Sequence, residues 1–368
     1  MKFIVVGLGS AGQRHARNIR TLLGDQADIV AVRRTGGGVT PAEHKQPAPH
    51  VLPEQDLGLK VFRHLDEALA DGGDAVIVAD PTSMHLATAS SALAAGCAVL
   101  VEKPLSSSWT GIPTFLAAAA DTDRPVLVGY QMRFHPLLLR LKAVVSDGDL
   151  GGVLSASCTY GEYLPDWHPW EDYRRSYAAR RELGGGVLLT QIHDIDNLCA
   201  LFGWPARVYS LGGHVSDLEV DVEDTATTVW SSRVGERDVP VRLHQDFVRR
   251  PPLRRIDIVL DGGTAELDLL APHLVARNAR GAVVLDEHPT GWQRNDLFLA
   301  EMRHFIACVE GREAPRVPPL EAARSLAVAL AALRSQTTGT VADVSYPEDP
   351  GDPAPLGREA SPKEIRRV

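Results

Sequence analysis

Cysteine is scarce in this sequence: Cys97, Cys158, Cys199 and Cys308 are the only four in 368 residues. They lie far apart and form no CxxC pair, which argues against a structural zinc site and a disulfide framework. Cys97, Cys199 and Cys308 fall within apolar helical patterns and read as buried free thiols. An excess of basic charge is also lacking. The 38 Lys and Arg against 47 Asp and Glu leave a net charge of −9, so no nucleic-acid partner is expected. No apolar run reaches the roughly 18 residues of a membrane span. Met1 to Val6 leads directly into a glycine turn, without an apolar leader or a small-residue cleavage site. The expected location is therefore the cytoplasm. No internal repeat is visible.

What is present is enough chain for two domains. Phe3 to Val6 is a short, wholly apolar run, as a central parallel strand should be. A helix follows over 11–23 and a strand over 28–32. After an irregular Gly- and Pro-rich insertion at 36–58, helices are expected at 65–70, 84–95 and 109–120, and strands at 75–79, 98–101 and 125–128. This alternation predicts an N-terminal Rossmann domain, a doubly wound parallel sheet, over 1–129. The rhythm then changes. A helix over 136–145 precedes an aromatic loop, a helix opened by Gly184-Gly185-Gly186, and β-branched runs over 206–284. These runs predict a C-terminal α+β domain with a large, mostly antiparallel sheet over 130–346. Helices over 296–309 and 320–335 close it, the last packing back on the first domain. Residues 347–368 read as a flexible tail.

Gly7-Leu8-Gly9-Ser10-Ala11-Gly12 joins the first strand to the first helix. The first glycine permits the turn, the second admits a pyrophosphate, and the third lets helix and sheet approach. The anion would sit on the helix N-terminus, beside Ser10 and Ala11. The carboxylate that usually follows the second strand to hold a ribose 2′-hydroxyl is missing. Ala31-Val32-Arg33-Arg34-Thr35 stands there instead. Two guanidiniums suit a 2′-phosphate, so NADP(H) is the expected cofactor, with NAD(H) as the alternative.

Asp80-Pro81-Thr82-Ser83-Met84-His85 and Val101-Glu102-Lys103-Pro104-Leu105, together with the glycine loop, resemble the glucose–fructose oxidoreductase / inositol dehydrogenase / MocA family. The resemblance continues through Tyr130 to Pro136, Gly184 to His193, Leu243 to Phe247 and the last two helices. It leaves out only the insertion and the tail. It implies an open antiparallel sheet whose free face joins dimers or tetramers. It also implies hydride transfer between nicotinamide and a secondary alcohol or ketone of a sugar, nucleotide sugar or cyclitol. Pro81, Thr82, His85 and Arg133 are implied as cofactor-side residues, and Lys103 as a contact to both the substrate hydroxyl and the nicotinamide ribose. Glu102 either helps to bind the cofactor or only orients that lysine. His193 matches the site histidine, as acid/base or as the group that binds the reacting hydroxyl.

One departure stands out. Family members carry an aspartate about one turn before that histidine, and here Thr190 occupies the matching position. A threonine cannot hold a proton as a carboxylate does. Either Lys103 and His193 suffice, or Asp194 or Asp196 substitutes, Asp196 being placed at i+3 to orient the imidazole. No second histidine accompanies His193 and Asp196 at i+4, so no metal is expected there. Tyr160, Tyr163, Trp167, Tyr173, Asp194 and His244 are candidate substrate contacts, since aromatic faces stack on sugar rings. Arg254 is a further candidate for the pocket. Two other readings stay open: a redox-neutral reaction with tightly held cofactor, such as glycoside cleavage, and a cofactor-sensing binding protein with weak catalysis.

Overall fold

A computed structural model of the protein describes residues 1–33 and 53–347. Its first part is a six-stranded parallel sheet of β1 (Lys2–Val6), β2 (Asp28–Val32), β3 (Lys60–Phe62), β4 (Ala75–Val78), β5 (Ala98–Glu102) and β6 (Val126–Gly129). The order is β3-β2-β1-β4-β5-β6. Apart from Lys2 and Glu102 at the ends of β1 and β5, its inner strands are unbroken, buried apolar runs, because helices cover both faces. These are α1 (Ser10–Leu23), α2 (Pro53–Asp56), α3 (Leu65–Ala70), α4 (His85–Ala94) and α5 (Ile112–Ala120). β1 lies between β2 and β4, so the winding reverses there and a crevice opens at the carboxyl ends of the strands.

The expected Rossmann sheet is therefore present, with corrections at its edges. α5 begins at Ile112 rather than Trp109, because Gly111 at φ 83° takes a left-handed conformation that cannot continue a helix. The short helix α2 falls inside the stretch read as irregular, and β3 follows it. Elements of four and three residues are too brief to show a period. Arg34 and the tail from residue 348 lie outside the described residues.

Helix α6 (Pro136–Asp147) leads into a nine-stranded sheet of order β14-β13-β12-β11-β7-β10-β9-β8-β15. Its strands are β7 (Val153–Gly161), β8 (Arg207–Gly213), β9 (Thr225–Val234), β10 (Arg237–Asp246), β11 (Leu253–Leu260), β12 (Gly263–Asp268), β13 (His273–Asn278), β14 (Val283–Glu287) and β15 (Ala342–Asp343). The pairing is antiparallel except at the centre, where β7 and β10 run parallel with Cys158 beside Leu243. β7 is an addition to the sequence reading. Along β9 and β10 buried and exposed residues alternate, as in a sheet with one covered face.

The helix expected after the triple glycine comes in two pieces, α7 (Val187–Thr190) and α8 (His193–Phe202). Thr190 and His193 thus belong to different helices. α9 (Asn295–Val309) returns to the first sheet and packs on α1, with Arg14 over the Phe298 ring at 4.2 Å. α10 (Pro319–Thr338) covers β8 and reaches β6 and α5. All four cysteines are buried and free. No helix among the described residues is long and apolar enough to cross a membrane.

Candidate active site

The glycine loop is built by close approach. Gly7 takes φ 89° and donates its N–H to Val32 O at 3.0 Å. A Cβ on Gly12 would lie 1.9 Å from Gly7 O, whereas one on Gly9 would meet nothing within 4 Å. Gly9 is also the N-cap of α1, and no side chain caps that end. Free N–H groups facing open space at a helix N-terminus fit a pyrophosphate. After β2, Arg33 is anchored by its N–H to Phe62 O. Its guanidinium is nearly buried and pairs with Glu54 of α2 at 2.5 Å.

His85 is a brace. Its two ring nitrogens lie 2.8 Å from Pro104 O and from Asp80 O, tying the turn after β4 to the turn after β5. Thr82 is buried in the first of these turns and Pro81 partly buried beside it. Glu102, at the end of β5, is held by His15 Nε2 of α1 at 2.7 Å. Burial alone would raise the Glu102 carboxyl, but the hydrogen bond and charge of His15 hold it below the ordinary range. The next side chain, Lys103, crosses the crevice and donates to Thr190 O at 2.8 Å. Burial pushes the Lys103 ammonium down to about 8, against the pull of Glu102 and with the help of Arg254.

His193 stands at the start of α8, buried, its ring edge-on to Tyr130 at 5.6 Å between centroids. Among the described residues neither ring nitrogen has a partner, and the Thr190 hydroxyl is equally bare. Burial, and then the charges of Lys103, Arg254 and Arg294, force the imidazole far below its ordinary value. It is neutral near pH 7, with two buried polar atoms that no described residue satisfies. Such atoms are costly unless something else satisfies them.

The carboxylates of α8 are otherwise engaged. Asp196 does not orient His193: Arg133 binds it through two nitrogens at 2.6 and 2.9 Å, and Ser325 of α10 donates to it at 2.9 Å. Arg133 also reaches Glu321 at 2.6 Å. It clamps the turn after β6 to α8 and α10 through Nε and one terminal nitrogen. Asp194 is not a free substrate contact. It is wholly buried and gripped by Arg254 of β11 at 3.0 and 3.2 Å. Burial raises its carboxyl and Arg254 opposes the rise. Arg254 also lies 4.6 Å over the Tyr160 ring, whose hydroxyl donates to Glu162.

The other aromatic candidates scatter. Tyr163 lies under Arg250 at 3.7 Å, Trp167 packs edge-on to Phe247, and the Tyr173 hydroxyl accepts from Glu219 N–H. His244 is held on the sheet between Thr227 and Asp246. The structure brings Lys103, Thr190 and His193 together, with Tyr160 and Arg254 beside them. Arg294, in the connection before α9, was missed. Its charge acts on Lys103 and His193, yet no local pattern marks a loop residue of this kind.

Comparison with known proteins places the fold. Residues 1–130 match the model of the oxidoreductase family with an NAD-binding Rossmann fold, and residues 138–266 match the GFO/IDH/MocA C-terminal domain. The chain belongs to the GFO/IDH/MocA family. It is an NAD(P)-binding oxidoreductase. Among relatives of this family, the scyllo-inositol 2-dehydrogenase (NAD(+)) of Bacillus subtilis is 26% identical over 91% of this chain and 94% of its own. The D-xylose 1-dehydrogenase (NADP(+)) 2 of Haloferax volcanii is 25% identical over 78% of this chain and 86% of its own. The WlbA dehydrogenase of Bordetella pertussis, solved with NADH and UDP-GlcNAcA, shares the fold. Its TM-score is 0.75 at 21% identity, over 95% of this chain and 99% of that one.

Proposed function

We propose that the protein moves hydride between a nicotinamide and a secondary alcohol or ketone of a sugar, nucleotide sugar or cyclitol, with Lys103 and His193 at the reacting hydroxyl. The observation that carries this reading is a bare, buried pair of imidazole nitrogens beside a partly buried lysine at the carboxyl end of β5. Substrates named for relatives, scyllo-inositol and D-xylose, support the class.

The bound nicotinamide would supply the hydride acceptor or donor. The residues of this chain handle the proton. Lys103, near 8, is far better matched to neutral pH than the strongly depressed His193, so the free amine takes the hydroxyl proton during oxidation and the ammonium returns it during reduction. Thr190 O fixes the Lys103 Nζ, leaving its other valences for substrate. The neutral His193 ring orients the hydroxyl by hydrogen bonding. On this division of labour no carboxylate is needed at position 190.

NADP(H) is the proposed preference, with NAD(H) as the second cofactor. Arg33 at the end of β2 supports it. Glu54 takes one nitrogen of that guanidinium, and the fork has donors for a second anion. Copies of the chain are proposed to pair through the free face of the large sheet, where Leu211, Val229 and Val259 are exposed.

The test is turnover of a sugar and cyclitol panel with each cofactor, for wild type, Lys103→Ala and His193→Ala. Each variant should lose about 10²- to 10⁴-fold in kcat while cofactor binding, read by fluorescence, persists. Wild-type rates in both variants would sink the assignment. Turnover without net NADPH consumption would point to a redox-neutral reaction instead.

A further inference from the structure

Far from the crevice, the outer hairpin of the large sheet gathers three metal-ligand side chains. β13 and β14 pair antiparallel with Leu274 opposite Glu287 and Val275 opposite Asp286. Continuing that register sets His273 opposite His288. Asp286 and His288 are two residues apart in an extended chain and so share a face. The two imidazole rings stack with centroids 3.9 Å apart and planes 12° from parallel. Both Nε2 atoms turn to one carboxylate oxygen: His273 Nε2 is 2.8 Å from Asp286 Oδ1, and His288 Nε2 is 3.7 Å from it. One ligand atom from each residue lies within 4.8 Å of the others.

We propose that His273, Asp286 and His288 bind a divalent transition-metal ion of the zinc or nickel type, which clamps the edge strand β14 to β13.

The spacing is what such an ion needs. Bonds of about 2.1 Å in a tetrahedron put neighbouring ligand atoms about 3.4 Å apart, and the two separations from Asp286 Oδ1 bracket that value. Two imidazole nitrogens and one carboxylate oxygen suit zinc, nickel or copper rather than magnesium or calcium, which prefer oxygen. Asp268, opposite His273 on β12, is not a competing ligand, because its Oδ1 caps the N–H groups of Leu270 and Ala271. Polar cover for an edge strand explains charge at β14. It does not explain why one ligand atom from each of three such residues lies within 4.8 Å of the others, with the His288 nitrogen beyond hydrogen-bond reach of Asp286 Oδ1; binding turns the two rings out of their stack so that their nitrogens converge on the ion. All three side chains are at least a third exposed, so an ion enters without opening the fold. A fourth position faces solvent. The proposal is independent of the hydride-transfer reading.

The experiment is calorimetric titration of chelator-treated, full-length protein with zinc chloride. Comparison variants are His273→Ala, His288→Ala and the isosteric Asp286→Asn, each checked for folding by circular dichroism. Wild type should bind zinc with a site that weakens at least about tenfold in each variant, since loss of even an outer-shell partner costs that much. Excess magnesium should not displace the zinc, and cofactor affinity should be unchanged in all variants. Absence of zinc binding by wild type would overturn the site. So would zinc binding equally tight in wild type and His288→Ala.

Discussion

The glycine loop and helix α8 flank the same crevice but are built in opposite ways. At the loop, the proposed cofactor site rests on atoms that are missing: no Cβ on Gly7 or Gly12, and open space over Gly9. On α8 it comes from side chains that are present, buried and sharply divided. Asp194 and Asp196 are saturated by Arg254 and Arg133, while His193 between the two elements and the arginines is left bare. Two carboxylates are thus spent on holding the helix so that one imidazole can stay unpaired. A sequence motif reveals the first kind of site. Only a folded chain reveals the second.

The sharpest way to break this contrast is to remove one arginine. Arg254→Met leaves the Asp194 carboxylate buried without its partner, which should cost about 3–5 kcal/mol of stability. The unpaired carboxyl would then have a folded pKa raised further above its unfolded value. The penalty therefore appears above the unfolded pKa, and the gap to wild type should narrow as pH falls toward 4. Urea denaturation at pH 7 and pH 4.5 measures both. A variant as stable as wild type at pH 7 would show that Asp194 is not locked by Arg254.

The loop offers its own internal control. Gly12→Ala drives a Cβ into Gly7 O and should destabilise the fold by at least about 1–3 kcal/mol. Gly9→Ala meets no protein atom, so its melting temperature should stay near wild type while cofactor affinity falls. Equal effects of the two on stability would deny Gly9 its separate role.

Between these regions sits Lys103, and pH reads its state. If Lys103 takes the proton as proposed, oxidation of the alcohol needs the free amine, and kcat/KM in that direction should drop tenfold per unit below about 8. Reduction needs the ammonium and should fall above about 8. A limb far below the ordinary histidine range in place of this would hand the proton to His193.

How much of this was legible in the sequence depends on how far apart the partners lie. The Rossmann sheet showed through its short apolar strands, and Lys103 and His193 through their local motifs. Asp194 and Asp196 were visible as residues but not as clamps, because their partners Arg254, Arg133 and Ser325 come from β11, the turn after β6, and α10. The break at Gln191, φ −97° and ψ 27°, left no periodic trace. The central parallel pair of β7 and β10 joins strands that residues 162–236 separate in the chain, and no local alternation announces such a neighbour.

The same distance rule applies to Arg33, and here the expected effect is smallest. Read alone, Arg33 and Arg34 favour a 2′-phosphate. In the fold Arg33 is nearly buried against Glu54, a carboxylate from a helix too short to foresee. A phosphate must share that guanidinium with Glu54 and feel its charge, while NAD(H) with a plain 2′-hydroxyl does not. Glu54→Gln removes the negative charge and keeps a hydrogen-bonding side chain of the same length. It should therefore tighten NADP(H) severalfold, which corresponds to about 1 kcal/mol, and leave NAD(H) nearly unchanged. Fluorescence titration of both cofactors checks it. If both affinities move together, Glu54 shapes the loop rather than the choice. If only NAD(H) weakens, Glu54 is itself the ribose ligand, and the preference proposed from Arg33 is reversed.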